Sequence, residues 1–449
     1  MLAVAELMQD VDAGTIDTVL VAMTDMQGRL QGKRCSARYF VDEVLDHATE
    51  ACNYLLAVDV EMTTVAGYEM SSWDTGYGDC VLRPDLATLR RVPWWPGTAL
   101  VLCDVEQVSP AGTPVAPSPR QVLRGQLARL AEHGLHAYVG TELEFLLFDD
   151  TYEAAHRGGY RELTPANQYN VDYSMLGTGR VEPLLRRIRN DMSGAGLYVE
   201  SAKGECSPGQ HEIAFRYDEA LATCDNHSVY KTGAKEIAAQ EGRSLTFMAK
   251  YNEREGNSCH IHLSLRDDSG RPVFAGDDGE ASQLMRYFTA GLLDCLPELT
   301  YFFAPNINSY KRFHAGSFAP TALAWGRDNR TCALRVVGHG PSLRLENRVP
   351  GGDVNPYLAV AAFIAAGLHG IDRRLALEPE FHGNAYESDR PRVPTTLREA
   401  ARLLGDSTMA KAAFGDDVVR HYRNAAQVEL DAFDAAVTDW ERVRGFERL

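Results

Sequence analysis

Apolar and polar positions in the first hundred residues predict a small unit of strands and helices. Thr18–Met23 and Thr98–Val105 mix β-branched and apolar residues, as buried strands do. Val41–His47 has helical spacing. Pro110–Pro119 contains four prolines, one glycine and two hydroxyl residues, a composition typical of a linker. We therefore expect one domain over residues 1–107 and a second over residues 108–449.

The second domain begins with a clear helical pattern and continues with alternating strand-like and helical stretches. Arg120–His133 carries apolar residues on one stripe and ends at a glycine, and the strand His136–Phe148 follows. The other predicted helices are Val181–Ala195, Asp218–Gln240, Ser282–Leu293, Asn355–Leu375, Leu397–Leu404 and Asp417–Thr438. Thr151–Tyr173 and Pro379–Pro394 are predicted as long loops, and long loops in compact domains often build functional sites.

Composition and charge exclude several classes of protein. The 62 acidic and 45 basic residues give a net charge of −17, which disfavours non-specific binding to nucleic acid or to an anionic membrane. Nine cysteines without a CxxC pair disfavour a zinc ribbon, a thioredoxin motif and a secreted disulfide scaffold. Met1–Asp10 is acidic, unlike a signal peptide, and the longest apolar run, Tyr357–Leu368, is shorter than the ~20 residues of a membrane span. We expect a cytoplasmic protein whose cysteines are mostly core thiols.

Four strand-like runs place charged or polar groups at alternate positions, which in an extended strand share one face. They are Thr141–Leu146, Gly204–Arg216, Cys259–Ser264 and Leu343–Val349. Any one run could be an amphipathic strand with a solvated face. Glu142 and Glu144, however, are flanked by apolar sequence, and adjacent buried carboxylates repel unless a cation neutralises them. Glutamates with one or two histidines suit Mg²⁺ or Mn²⁺, and their number suggests two or three ions.

Basic residues crowd the segment between positions 311 and 348, which contains Lys311, Arg312, Arg327, Arg330, Arg335, Arg344 and Arg348. A solvated basic surface is one explanation. Because guanidinium groups bind carboxylate and phosphate through paired hydrogen bonds, an anion site is the other. An arginine cluster beside an acidic cation site fits a nucleotide and a carboxylate substrate.

The order of these motifs resembles the glutamine synthetase family over roughly residues 15 to 440. The motifs are ExE, E-x6-E, HxHxS, NSYKR, NR-x4-R, RxExR and Asn355-Pro356-Tyr357-Leu358. The resemblance implies an α+β fold, with an N-terminal β-grasp domain and a catalytic domain of antiparallel strands flanked by helices. It also implies a homo-oligomer, usually a double-ring dodecamer, whose active sites are shared between neighbouring subunits.

Matching positions carry the family's roles onto this sequence. One metal would be held by Glu144, Glu205 and Glu212, and a second by Glu142, His260 and Glu346. Glutamate would contact Arg312, Arg348 and the backbone of Gly256. Arg330, Arg335 and Arg344 would meet the ATP phosphates, with Glu205, His262 and Ser264 close to the nucleotide and Tyr217 stacked on adenine. Arg312 and Arg330 would also be catalytic.

The implied reaction is the phosphorylation of the γ-carboxylate of glutamate by ATP, followed by attack of an amine on the acyl phosphate. Lys311–Ala319 is the predicted loop that excludes water. Family members that use ammonia carry an acid where this chain has Phe318. A phenyl ring is a poor partner for ammonium but suits the carbon chain of an organic amine. We therefore predict a γ-glutamyl-amine ligase for ethanolamine or methylamine.

Several alternatives remain open at this stage. Ammonia could still be the substrate if another residue supplies the acid, and polyamines are a further possibility. Asp59 and Glu255 are the candidate bases for the amine. A catalytically inactive structural or sensing relative is the non-enzyme alternative, although it would have little reason to retain every metal ligand. Another carboxylate–amine ligase, such as glutamate–cysteine ligase, is a third possibility. It lacks the NSYKR and NPYL elements that this chain contains, which argues against it.

Overall fold

The computed structural model describes residues 1–449 and contains two β-sheets. The first has five strands in the order β2-β1-β5-β4-β3. Their bounds are β1 Thr18–Thr24, β2 Leu30–Ser36, β3 Thr49–Cys52, β4 Asp79–Arg91 and β5 Thr98–Gln107. Only β1 and β5 are parallel, and the helix Val4–Asp12 completes the core of this unit through Leu7. The two predicted strands are confirmed.

The second sheet has nine strands in the order β12-β13-β14-β11-β6-β8-β7, with β9 and β10 also paired to β6. The bounds are β6 Leu135–Phe148, β7 Val199–Gly204, β8 Gln210–Phe215, β9 Asp218–Glu219, β10 Ser244–Thr246, β11 Cys259–Asp267, β12 Trp325–Arg327, β13 Leu334–Val337 and β14 Arg344–Asn347. Every pair is antiparallel except β12 with β13. Together with the helices this confirms the α+β class.

Helices cover the second sheet. Their bounds are Pro119–Glu132, Tyr152–Arg157, Met175–Thr178, Glu182–Gly194, Ala220–Gln240, Gln283–Phe303, Pro356–Arg373, Leu397–Asp406, Thr408–Phe414, Asp416–Ala435 and Asp439–Gly445. Short helical segments lie at Ala37–His47, which includes a π-turn, and at Asn53–Leu56, Ile307–Arg312, Gly340–Ser342 and Ala385–Glu387. No helix has the length and apolar character that crossing a membrane requires. Seven of the nine cysteines are buried, which confirms their prediction as core residues.

Three predicted elements need correction. The helix predicted to end at Leu293 continues to Phe303 through Pro297, because its buried apolar stripe continues and outweighs the missing backbone donor. The stretch predicted as a loop over Thr151–Tyr173 contains the helix Tyr152–Arg157, which Thr151 caps by accepting a hydrogen bond from the backbone of Ala154. The helix predicted from Asp218 begins at Ala220, after the short strand β9.

Polar side chains join the two sheets across the linker. Asn355 caps the buried helix Pro356–Arg373, and its side-chain amide donates to the carbonyls of Asp25 and Met26 at 3.1 and 3.0 Å. Buried Arg120, which follows the linker, forms ion pairs with acids on both sides of it (Asp85, Asp104 and Asp225). We propose that the chain divides here into domains 1–107 and 108–449.

Candidate active site

Strand register in the second sheet brings the predicted acidic and imidazole groups together. Glu142 on β6 lies opposite His260 on β11, and Glu144 lies opposite Glu212 on β8. On the other side of β11, His262 lies opposite Glu346 on β14. Since alternate residues of a strand share one face, four strands present these groups to the same side of the sheet.

The first group consists of Glu144, Glu205 and Glu212, with one carboxylate oxygen from each lying within 4.8 Å of the other two. Glu144 is held in place because its Oε2 accepts from the backbone N–H of Ser258 at 2.6 Å and from Gln210 Nε2 at 3.1 Å. Burial, and then the negative charge of Glu142, raise the pKa of Glu212 to about 8. The carboxylates of this group therefore oppose one another's ionisation, and a cation between them would relieve that repulsion.

The second group consists of Glu142, His260 and Glu346. His260 Nδ1 lies 3.3 Å from Glu142 and 3.7 Å from Glu346, while its Nε2 is buried without a hydrogen-bond partner. Burial and the nearby Arg348 guanidinium lower the pKa of His260, which favours the neutral imidazole that a metal requires. Glu346 is completely buried and accepts hydrogen bonds from Arg335, at 2.9 Å, and from Arg348.

Both groups fit divalent cations. Carboxylate oxygens with a single imidazole are the donor set expected for Mg²⁺ or Mn²⁺. His260 directs its Nδ1 towards Glu142 and Glu346, and the carboxylates of Glu144, Glu205 and Glu212 crowd together; a bound cation would explain both arrangements. The donor types and their proximity therefore agree with the ligand sets expected from the family resemblance.

A cavity of about 310 Å³ lies against both groups. Eleven of the predicted site residues line it: Glu142, Glu144, Glu205, Glu212, Glu255, Gly256, His260, Phe318, Arg330, Arg335 and Arg348. Seven more lining residues were not predicted: Asp172, Tyr173, Lys203, Cys206, Gln210, Ser258 and Ser317. Asp172 and Tyr173 lie at the end of Thr151–Tyr173, which was predicted as a long loop of the kind that builds functional sites. That prediction is the feature of the sequence that could have identified them. Nothing in the local pattern pointed to Lys203, whose ammonium forms an ion pair with Glu205.

Gly256 lines the cavity, and Arg312 lies directly behind it. The Arg312 guanidinium is buried and donates to Ser258 Oγ at 2.9 Å and to the carbonyl of Val349 at 3.0 Å, so it lies behind the lining surface. A Cβ on Gly256 would lie 2.2 Å from the carbonyl oxygen of Ala249 and 2.7 Å from Arg312. Only glycine fits here, which leaves the backbone of residue 256 at the cavity surface.

The residues expected near the nucleotide lie beyond the cavity, on β11 and on the segments next to it. His262 Nε2 lies 3.0 Å from Glu142, and Arg344 Nε lies 3.3 Å from His262 Nδ1. Ser264 is two residues further along the same strand. Tyr217 is half exposed, and its hydroxyl accepts from Arg266 at 3.3 Å. Of these residues, only His262 forms a hydrogen bond with a member of the two carboxylate groups. Arg344, Ser264 and Tyr217 do not.

Asp59 lies apart from the cavity in the single chain. It lines a separate, smaller cavity with Met26 and Tyr68, and its carboxylate accepts from the backbone N–H groups of Glu61 and Thr63 at 3.0 and 2.8 Å. Within one chain, Asp59 and Glu255 therefore do not belong to the same site.

Comparison with known proteins agrees with this geometry. Residues 116–444 match the family model described as the catalytic domain of glutamine synthetase. The chain is 70% identical to gamma-glutamylethanolamide synthetase GlnA4 of Streptomyces coelicolor, over 100% of this chain and 96% of the relative. It is 37% identical to the glutamate–isopropylamine ligase of a Pseudomonas species, over 97% and 96% of the two chains. A solved structure of GmaS without ligand superposes with a TM-score of 0.86 at 27% identity, over the whole of both chains. The chain belongs to the glutamine synthetase family.

Proposed function

We propose that this protein is an ATP-dependent ligase that joins glutamate to a small organic primary amine of the ethanolamine type, forming a γ-glutamyl amide. The observation that carries the proposal is the composition of one cavity, where two carboxylate groups, three arginines and the ring of Phe318 meet. The names of relatives support it, since a 70% identical protein is a gamma-glutamylethanolamide synthetase and a 37% identical one is a glutamate–isopropylamine ligase.

Phosphoryl transfer to glutamate brings two anions together, so the site must neutralise negative charge. Bound Mg²⁺ or Mn²⁺ would supply this neutralisation, with Glu144, Glu205 and Glu212 as one ligand set and Glu142, His260 and Glu346 as the other. Arg330 and Arg335 line the same cavity and can contact the equatorial phosphate oxygens. Arg344 is the third proposed contact of the ATP phosphates, and His262 and Ser264 would lie close to the nucleotide.

Amide formation requires that glutamate and the amine are held on the same side of the acyl carbon. Arg348 and the backbone of Gly256 are at the cavity surface and would bind the α-carboxylate and the amino group of glutamate. Phe318 forms an apolar part of the wall for the alkyl chain of the amine. Glu255 is exposed and lines this cavity, so it is better placed within the chain than Asp59 to accept the proton of the amine.

Ammonia is the second candidate substrate, and a specific feature favours it. Asp172 and Glu255 both line the cavity and could provide the anionic partner that Phe318 does not. The same two carboxylates could instead receive the second amino group of a polyamine. An inactive relative is disfavoured because all six proposed metal ligands are present and gather in two groups.

An assay with ATP, Mg²⁺, glutamate and a panel of amines tests the proposal. Phosphate release and the mass of the amide product are measured with ethanolamine, methylamine, putrescine and ammonia. We expect the highest kcat/KM with ethanolamine or methylamine. Turnover with ammonia alone would show that our interpretation of Phe318 is wrong, and absence of turnover with every amine would support the inactive relative.

We also propose a ring-shaped homo-oligomer in which a neighbouring subunit contributes Asp59 to the site. Asp59 has no place in the cavity of its own chain, which agrees with a site completed between subunits. The solution mass measured by sedimentation, and the activity of Asp59→Asn at unchanged mass, test this proposal. A monomer with full activity would refute it.

A further inference from the structure

A second cavity, of about 450 Å³, lies among the helices that cover the large sheet. The helices Gln283–Phe303, Pro356–Arg373 and Thr408–Phe414 supply most of its walls, and Arg129 supplies one more side. It shares no lining residue with the active-site cavity. Its chemistry therefore needs an explanation that is separate from the ligase reaction.

Two glycines explain why polar groups meet in this cavity. A Cβ on Gly291 would lie 2.2 Å from the carbonyl oxygen of Ala366 and 2.7 Å from the Cα of Gly370, so two helices cross there at backbone contact. About one turn further along the first helix, Asp294 faces the second helix. Its Oδ2 lies 3.2 Å from Nε2 of His369.

Cys295, adjacent to Asp294, completes the cluster. One ligand atom from each of Asp294, Cys295 and His369 lies within 4.8 Å of the other two. The Cys295 residue is only 2% exposed and lines the cavity, and its sulfur forms no hydrogen bond. A buried, unpartnered sulfur beside an imidazole and a carboxylate is unlike the oxygen-rich groups of the active site.

We propose that Asp294, Cys295 and His369 form a binding site for a zinc-class divalent cation. Thiolate with imidazole is the donor combination that selects Zn²⁺ over Mg²⁺, and one carboxylate is a common third ligand. The Cys295 thiol loses its proton to solvent as the metal–sulfur bond forms, and the metal gives up water. A thiolate and a carboxylate then balance the two positive charges, and the cavity leaves room for a water as fourth ligand.

The distances suit this assignment. Metal–ligand bonds of ~2.0–2.3 Å in tetrahedral geometry place ligand atoms about 3.3–3.7 Å apart. The 3.2 Å between Asp294 Oδ2 and His369 Nε2 is already close to this range, and the sulfur of Cys295 lies within 4.8 Å of a ligand atom of each. Other polar groups of the cavity have partners of their own, since Glu298 accepts from Ser407 and Asp372 pairs with His133.

Cobalt is the probe that distinguishes this site from the active site, because a thiolate ligand gives a charge-transfer absorption that oxygen ligands do not. The full-length protein is saturated with Mg²⁺ and ADP and then titrated with Co²⁺. We expect one equivalent to produce the thiolate–cobalt band, and one equivalent of Zn²⁺ to displace it. The thermal unfolding midpoint is also expected to rise with Zn²⁺, because a ligand that binds only the folded state stabilises it.

Three variants test which residues produce the thiolate–cobalt band. Cys295→Ala is expected to remove it, and His369→Ala and Asp294→Asn to weaken Co²⁺ binding at least tenfold. Asp294→Asn is the variant least expected to disturb folding, because the side chain of Asp294 is 60% exposed. Cys206→Ala is the matched control, since Cys206 lies beside Asp172 and Glu205 in the active-site cavity and is the competing thiol. The proposal is overturned if no band forms, if the band is lost in Cys206→Ala but kept in Cys295→Ala, or if binding is unchanged in both His369→Ala and Asp294→Asn.

Discussion

Phe318 provides the sharpest test of amine selectivity. Its side chain is about half exposed and lines the cavity beside Ser317 and Arg330. Replacing it by glutamate introduces a negative charge at the position where ammonia-using relatives are expected to carry one. We expect Phe318→Glu to lower kcat/KM for ethanolamine and to raise it for ammonia.

The size of the change follows from two contributions. One or two methylenes packed on the ring stabilise the organic amine by ~0.8 kcal/mol each, and this contribution is lost. A hydrogen bond from ammonium to the new carboxylate contributes ~1.5–3 kcal/mol in favour of ammonia. The two together amount to ~2.3–4.6 kcal/mol, a change of about 50- to 2400-fold in the ratio of the two kcat/KM values.

The assay compares kcat/KM for ethanolamine and for ammonia at one pH, by phosphate release and by product mass. Residue 318 has a φ of +57°, a left-handed conformation that is unfavourable for both phenylalanine and glutamate. The substitution therefore leaves the conformational cost of the loop backbone about the same. Ser317→Ala, in the same loop, is the matched control and should leave the ratio within about threefold. A Phe318→Glu enzyme with an unchanged ratio would refute the role given to the ring.

Three further predictions concern metal binding and stability. Glu144→Ala should abolish activity while circular dichroism and the unfolding midpoint stay close to wild type, and a near-native rate would contradict the metal assignment. Burial lowers the pKa of His421 to about 4, so the folded state resists its protonation, and this contribution to stability is complete above pH ~6.5 and is lost as the pH falls towards 4. His421→Phe should therefore remove about 3 kcal/mol of the loss in unfolding free energy between pH 7.5 and pH 4, as measured by urea denaturation. Arg120→Ala leaves buried Asp225 without its ion pair and should lower the unfolding free energy by ~3–5 kcal/mol. Arg124 is a more exposed residue of the same helix, and Arg124→Ala should change the unfolding free energy by ~1 kcal/mol or less. Equal effects of the two substitutions would refute this prediction.

The sequence predicted much of the site because its side chains lie on strands, where a two-residue period fixes the face. Glu142 and Glu144 are separated by one residue, as are His260 and His262, and the structure places both pairs on one face. The helix Pro356–Arg373 was predicted well because a long, continuous apolar run is also a local pattern. The predicted end of one helix at Leu293 was wrong, because burial of its apolar residues carries the helix through Pro297 to Phe303.

What the sequence could not provide was the relation between distant segments. Lys203 precedes Glu205 by two residues, yet its proximity to Glu212 follows only from the pairing of β7 with β8. Asp59 was grouped with Glu255 as a candidate base, and the chain places them in separate cavities. No local pattern carries such distances, because they depend on sheet order and on any subunit that joins the site.

The opposite face of the same strands explains how the site keeps its geometry. Leu143 and Phe145 on β6 and Ile261 on β11 alternate with the polar groups and are almost completely buried in the core. Slipping β6 against β11 by one residue would turn these side chains out of the core and carry Glu144 into it. Burial of each large apolar side chain is worth ~1.5–3 kcal/mol, so such a slip is strongly disfavoured. The core therefore fixes the register, and the register in turn fixes which carboxylate lies opposite which imidazole.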